Sequence, residues 1–152
     1  MPIQHRVGDL LASDCLIIAH GCNCFNTMGS GIARAIRAKY PGVYEADCQT
    51  IRGRREKLGT YTNYMSPEDQ RVIFNLYTQY RYGTDKVHLD YTALTAALMN
   101  MKDWLDGQDP HKHFKVGLPR IGCGLAGGEW RRVEEIIESV FDDRTIYVYT
   151  LS

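Results

Sequence analysis

Two periodicities share this chain. Short β-branched or aromatic runs alternate with stretches whose apolar residues recur every three or four positions. Leu16-Ile17-Ile18-Ala19 has the character of a strand buried on both faces. Ile32, Ile36 and Tyr40 then fall at helical spacing with arginines between them. Ile3 to Val7, Gly59 to Tyr64, Arg71 to Thr78, Phe114 to Leu118 and Thr145 to Thr150 read as further strands. Ser66-Pro67-Glu68-Asp69 is a turn that joins two of them as a hairpin at a sheet edge. Helices are predicted over Val43 to Ile51, over Tyr91 to Leu105 with Asp90 as cap, and from Glu129 onward. The last of these carries Trp130, Val133, Ile137, Val140 and Phe141 on its buried face. Alternating strands and helices give an α/β protein with a mostly parallel or mixed sheet.

Two strand-to-helix junctions are rich in glycine. In the first, His20, Asn23 and Asn26 precede Gly29-Ser30-Gly31; in the second, Pro119-Arg120-Ile121-Gly122-Cys123-Gly124-Leu125-Ala126-Gly127-Gly128 leads into Glu129. Glycine permits tight turns and close approach to a ligand, and the unpaired N–H groups of a helix start form an anion site. Either loop alone is equally compatible with an ordinary connection. Placed at the carboxyl ends of neighbouring strands, the pair would grip a diphosphate from both sides.

The chain has 152 residues, enough for one domain with its own core. Lys plus Arg equal Asp plus Glu at 18 each, so no overall field draws it to nucleic acid or membranes. No apolar run is long enough to span a bilayer, and MPIQHRVGDL does not resemble a signal peptide. Five scattered cysteines, Cys15, Cys22, Cys24, Cys48 and Cys123, suit a reduced, cytoplasmic protein.

Several residues admit two readings. Asp9 can accept from a ligand amine or cap the turn after it. Arg52, Arg54, Arg55 and Lys57 form a basic cluster read as a solvated loop rather than a nucleic-acid contact. Gln79 to Leu89 is polar and aromatic, a functional loop starting at a strand end. His111 and His113 lack the partners of a zinc site, and no second ligand pair accompanies His20, Cys22 and Cys24, so no metal is expected. Cys123 reads as a small residue fitting a tight loop.

From Gly8 to Leu151 the chain resembles the macrodomains, the ADP-ribose-binding α/β/α fold, which implies one three-layer domain over 1–152 with a mixed central sheet. The segments Ile18-Ala19-His20-Gly21-Cys22-Asn23-Cys24 and Gly29-Ser30-Gly31-Ile32-Ala33 resemble the fungal ADP-ribose 1''-phosphate phosphatase branch. Leu118 to Leu125, Trp130 and Val148-Tyr149-Thr150-Leu151 resemble the related terminal ADP-ribose protein glycohydrolases. The resemblance implies that Asp9 reads the adenine amino group, that Leu10 is a further ligand contact, and that Tyr149 and Leu151 lie against the adenosine. It places Gly29, Ser30, Gly31, Ile32 and Ala33, with Ile121, Gly122, Cys123, Gly124 and Leu125, around the diphosphate. It adds Asn23 at the distal ribose, Thr78 and Arg120 as further ligand contacts, and His20 with Asp85 as the catalytic pair.

At the positions of the glycohydrolase lysine and aspartate stand Gln79 and Ala126, which can neither form a Schiff base nor move a proton. A phosphatase requires a cradle, a positioned water and an acid or base. The reaction expected is hydrolysis of ADP-ribose 1''-phosphate to ADP-ribose and phosphate, with no cofactor. His20 would assist the leaving oxygen and Asp85 the water, or the reverse, or His20 would be the nucleophile. Two alternatives stand beside it: a reader of ADP-ribose or ADP-ribosylated macromolecules without turnover, and an ADP-ribosyl hydrolase with another catalytic set.

Overall fold

In the computed structural model, which describes residues 2–124 and 126–151, the strands follow the alternation of the sequence closely. They are β1 (Ile3–Val7), β2 (Ile17–Cys22), β3 (Tyr61–Met65), β4 (Val72–Tyr77), β5 (Val116–Leu118) and β6 (Ile146–Thr150). They form one sheet in the order β1-β6-β5-β2-β4-β3. Every pairing is parallel except β3 with β4, the antiparallel hairpin at the edge. The sheet is therefore mixed.

Helices cover both faces, and the side-chain alternation of β2 shows how. Ile17 and Ala19 join one cluster with Leu94, Leu98, Met101 and Leu105 of α3 (Tyr91–Gln108) and Val133 and Ile137 of α4 (Trp130–Val140). Ile18 joins the opposite cluster with Ile36 of α1 (Gly31–Lys39) and Val43 of α2 (Pro41–Cys48). Successive strand residues point to opposite faces, so a strand between two helical layers must be apolar at every position. Each fully buried leucine or isoleucine in these layers contributes about 1.5–3 kcal/mol. Asp90 caps α3 as expected, its Oδ1 accepting from Ala93 N at 2.9 Å.

Several boundaries differ from the sequence reading; β2 continues past Ala19 through His20 to Cys22, and β3 is shifted to Tyr61–Met65. The second helix starts at Pro41 and stops at Cys48, leaving Ile51 exposed. Proline ends α1 but suits the first turn of α2, where its missing N–H has no acceptor to lose. The third helix runs past Leu105 to Gln108, and β5 is only Val116–Leu118. Lys57, taken as part of a solvated cluster, is buried; its Nζ donates to Cys24 O at 3.1 Å and Asn26 Oδ1 at 2.7 Å.

Arg71 ties the amino end of the sheet together. Its buried guanidinium donates to Leu11 O at 2.9 Å, Ser13 O at 2.6 Å and Cys15 O at 2.9 Å, and to Tyr40 Oη at 3.1 Å. One side chain thus satisfies the carbonyls of the segment entering β2. Arg71→Met keeps the stem and orphans the Ser13 and Cys15 carbonyls, while Leu11 O keeps its bond from Lys39 Nζ at 2.8 Å. It should lower unfolding free energy by at least about 2 kcal/mol. In urea the midpoint should fall with an unchanged slope. An unmoved midpoint would show the carbonyls to be hydrated.

Candidate active site

Because β1, β6, β5, β2 and β4 run parallel, their carboxyl ends open on one edge of the sheet. The two glycine loops follow β2 and β5, which are direct neighbours. The strand order sets the 79–89 loop, which follows β4, on one side of this pair and Gly8, Asp9 and Tyr149, at the ends of β1 and β6, on the other, so the edge between the two glycine loops is the candidate ligand crevice.

The first loop is held from within. Asn23 Oδ1 accepts from Phe25 N at 2.8 Å, and Nδ2 donates to Thr27 Oγ1 at 2.7 Å. Asn26 takes a left-handed conformation, φ 57°, fixed by the bond from Lys57. Gly29 and Ser30 are exposed, and Gly31 opens α1 at φ 58°. Ser30 stands at the N-cap without a side-chain cap bond, and the first turn carries no acid. The leading amides of Gly31, Ile32 and Ala33 therefore present an uncapped positive dipole end.

The second loop uses some amides internally. Ile121 N bonds Pro119 O at 2.8 Å, and Cys123 N bonds Arg120 O at 3.2 Å. Gly122 N and Gly124 N meet no protein acceptor among the described residues. Gly122 adopts φ 73°, and a β-carbon there would come within 2.6 Å of Leu89. Only glycine fits that turn. Ile121 is buried, and its amide is already used within the loop. Arg120 is exposed, with its guanidinium over Trp130 at 5.3 Å. Burial pushes the Cys123 thiol up to about 11, so it is no thiolate at neutral pH. Leu125 lies outside the described residues.

Beneath the loops, Thr78 Oγ1 is buried without a hydrogen-bond partner, close under Gly21 and Ile121. At the other end, Asp9 Oδ1 accepts from Leu11 N at 3.0 Å and caps a short 3-10 turn. Leu10 is buried in the core, Tyr149 is half-buried and Leu151 is exposed.

The sequence-predicted catalytic pair is not joined. His20 is 0% exposed, on the face of β2 turned toward α2. Its Nε2 meets Asn75 Oδ1 at 2.7 Å, and Asn75 Nδ2 donates to Val43 O at 3.0 Å. Burial drives the imidazole down to about 4, against the weaker opposing effect of the Asn75 bond. Asp85 sits in the 79–89 loop with its side chain 74% exposed, 2.8 Å from His88 Nε2. That hydrogen bond holds its carboxyl below the usual carboxylate range. Gln79 Nε2 donates to Arg81 O at 2.7 Å, and Ala126 is buried. Sequence reasoning passed over His88, although its i, i+3 spacing from Asp85 was visible. It had no signal for Asn75 or Lys57, whose roles depend on strand register and loop path. Among the described residues no group of three or more His, Cys, Asp or Glu is arranged to hold a metal.

The His20 titration follows from its burial. Above the ordinary value of 6.5 the ring is neutral in both states, and its contribution to stability is complete. As pH falls from 6.5 toward 4 the unfolded chain takes up a proton that the fold refuses, so stability declines through that window. The loss attributable to His20 is on the order of 3 kcal/mol. Imidazole NMR should show His20 untitrated between pH 7.5 and 5.5. A midpoint near 6.5 would place the ring in solvent.

The comparisons agree with this geometry. A family model described as Macro domain matches residues 19–137. An uncharacterized 17.5 kDa protein of Enterobacteria phage T4 is 35% identical over 91% of this chain and 90% of its own length. ADP-ribose glycohydrolase OARD1 of Bos taurus is 33% identical over 98% of this chain and 91% of its own. ADP-ribose 1''-phosphate phosphatase of Candida albicans is 26% identical over 98% and 99%. Among solved structures, the macrodomain of Mycobacterium tuberculosis DarG superposes with a TM-score of 0.80 at 22% identity, covering 99% of this chain and 98% of that one. A three-layer sheet with two glycine loops at its switch point, matched by the family model over most of its length, makes this chain a member of the macrodomain family.

Proposed function

We propose that the chain binds ADP-ribose across the crevice and acts as a hydrolase on its distal end, the best-fitting reaction being removal of the phosphate from ADP-ribose 1''-phosphate. The observation that carries this reading is the pair of amide cradles on adjacent strands: the uncapped start of α1 and the free amides of Gly122 and Gly124. Opposed donors suit a diphosphate, whose charge they meet without a counter-ion. The similarity to proteins named for ADP-ribose chemistry supports the same ligand.

For the chemistry, a water attacks phosphorus, the bond to the anomeric oxygen breaks, and a proton reaches the leaving oxygen. Asp85, ionised and exposed, is the group proposed to orient the water. His20 is neutral at pH 7 and can serve as a base only if its packing against Asn75 and α2 opens, since no atom of it is exposed here. Gln79 and Ala126 support neither Schiff-base formation nor proton transfer. The burial of His20 also favours a second reading, in which the crevice recognises ADP-ribose on a macromolecule without turnover.

ADP-ribose should raise the melting temperature, because it binds the folded crevice only. Gly31→Glu places a carboxylate at the first cradle and should abolish the shift without unfolding the protein. Wild-type protein should release phosphate from ADP-ribose 1''-phosphate, and Asp85→Asn should slow release about a hundredfold with little change in ADP-ribose affinity. Comparing His20→Ala tests whether the buried ring takes part. Binding without phosphate release would leave the reader as the better account, and no binding would overturn both.

A further inference from the structure

Asp85 and His88 form a pair with an unusual division of exposure. The carboxylate side chain is 74% exposed, whereas the imidazole that holds it is 4% exposed. The contact, Nε2 to Oδ1 at 2.8 Å, engages one carboxylate oxygen of a side chain that is otherwise exposed. His88 is in turn pinned to the second glycine loop, its N–H donating to Ala126 O at 2.9 Å. The neighbouring Leu89 fills the space against Gly122 and Gly128, and Val87 lies against Gly127. A bridge between Gln79 and Leu89 closes the base of the loop. The returning arm of the loop is thus fixed through residues 87–89 to the loop proposed to grip the diphosphate. An exposed aspartate on a polar loop would otherwise sample several rotamers.

From this arrangement the geometry points to His88 as a positioning residue for Asp85: a buried imidazole, anchored to the phosphate-gripping loop, holds one carboxylate oxygen so that the other faces the reacting phosphate. His88 touches neither substrate nor water in this role. The inference rests on the phosphatase reading and deepens it. The charged and titratable groups facing Asp85 are His88 and Lys86 of its own loop. The second loop meets this segment through Ala126 and Gly127, which bring no charge. Removing His88 takes away the hydrogen bond that lowers the Asp85 carboxyl.

The test uses the full chain, ADP-ribose 1''-phosphate as substrate, and the variants H88A and H88Q, with D85N and the H88A/D85N double variant. Circular dichroism and ADP-ribose binding establish folding; H88Q, which keeps a donor of similar reach, guards against a collapse of the loop in H88A. Carboxyl-carbon NMR should show the Asp85 midpoint rising toward the ordinary value in H88A and little changed in H88Q. The kcat for phosphate release should fall at least tenfold in H88A with KM held within about twofold, should recover most of the way in H88Q, and should fall no further when H88A is added to D85N. A purely structural role would lower kcat in the D85N background as well and would leave the Asp85 midpoint unmoved. Wild-type activity that persists in H88A, or an unchanged Asp85 midpoint, overturns the inference alone. Wild-type protein that binds ADP-ribose but releases no phosphate overturns the phosphatase reading and the inference with it.

Discussion

Parallel pairing of β2 with both β4 and β5 is the constraint on which the site depends. It places three carboxyl ends side by side, so the loops that leave them meet. Maintaining it requires β2 and β4 to be buried from both sides, and their sequences comply: Ile17, Ile18, Ala19, Ile73, Phe74 and Leu76 have no exposed surface. The polar exceptions, His20 and Asn75, lie opposite one another in register and satisfy each other. A buried polar pair of that kind fixes register, because a one-residue slip would leave both groups unpaired among apolar side chains.

Around that spine, polar anchors set the loop shapes. Lys57 reaches from beyond α2 to Cys24 O and Asn26 Oδ1, shaping the first loop from below. Asn23 closes the same loop on itself. Arg71 performs the equivalent task at the opposite edge of the sheet. Each of these side chains acts through carbonyls and amides rather than through a ligand. Amides left over among the described residues, at the start of α1 and at Gly122 and Gly124, are available to an anion. Rigid loops with unused donors cost little to reorganise on binding, which is the basis of preorganised recognition.

The sequence was legible wherever periodicity governs. Alternation and helical spacing located all six strands and the four helices, and the hairpin at β3 and β4 followed from one proline turn. The glycine loops were legible as well, because Gly122 has a backbone conformation that other residues rarely take. Lys57 was not legible: a lysine in a basic run looks solvated, and its burial depends on a loop passing over it. Ile51 misled in the other direction, an apolar residue continuing a helical pattern beyond the point where α2 stops. His20 was expected just past a buried strand, whereas it lies within β2, on the face it shares with Ile18. How far a strand extends into a glycine-bearing segment is a tertiary property, and so is the pairing of Asp85 with His88.

The central claim is that the crevice at the carboxyl edge, and not another depression, receives ADP-ribose. A cleft of about 420 Å³ lined by Tyr91, Thr95, Arg132, Glu135 and Ser139 between α3 and α4 offers a direct rival, with volume and polar groups of its own. Amide NMR with ADP-ribose added to the full chain distinguishes them. The account predicts that the largest shifts fall on Gly31, Ile32, Ala33, Gly122 and Gly124, with α3 and α4 undisturbed. Shifts concentrated on Thr95, Arg132 and Ser139, with the glycine-loop amides unmoved, would contradict it.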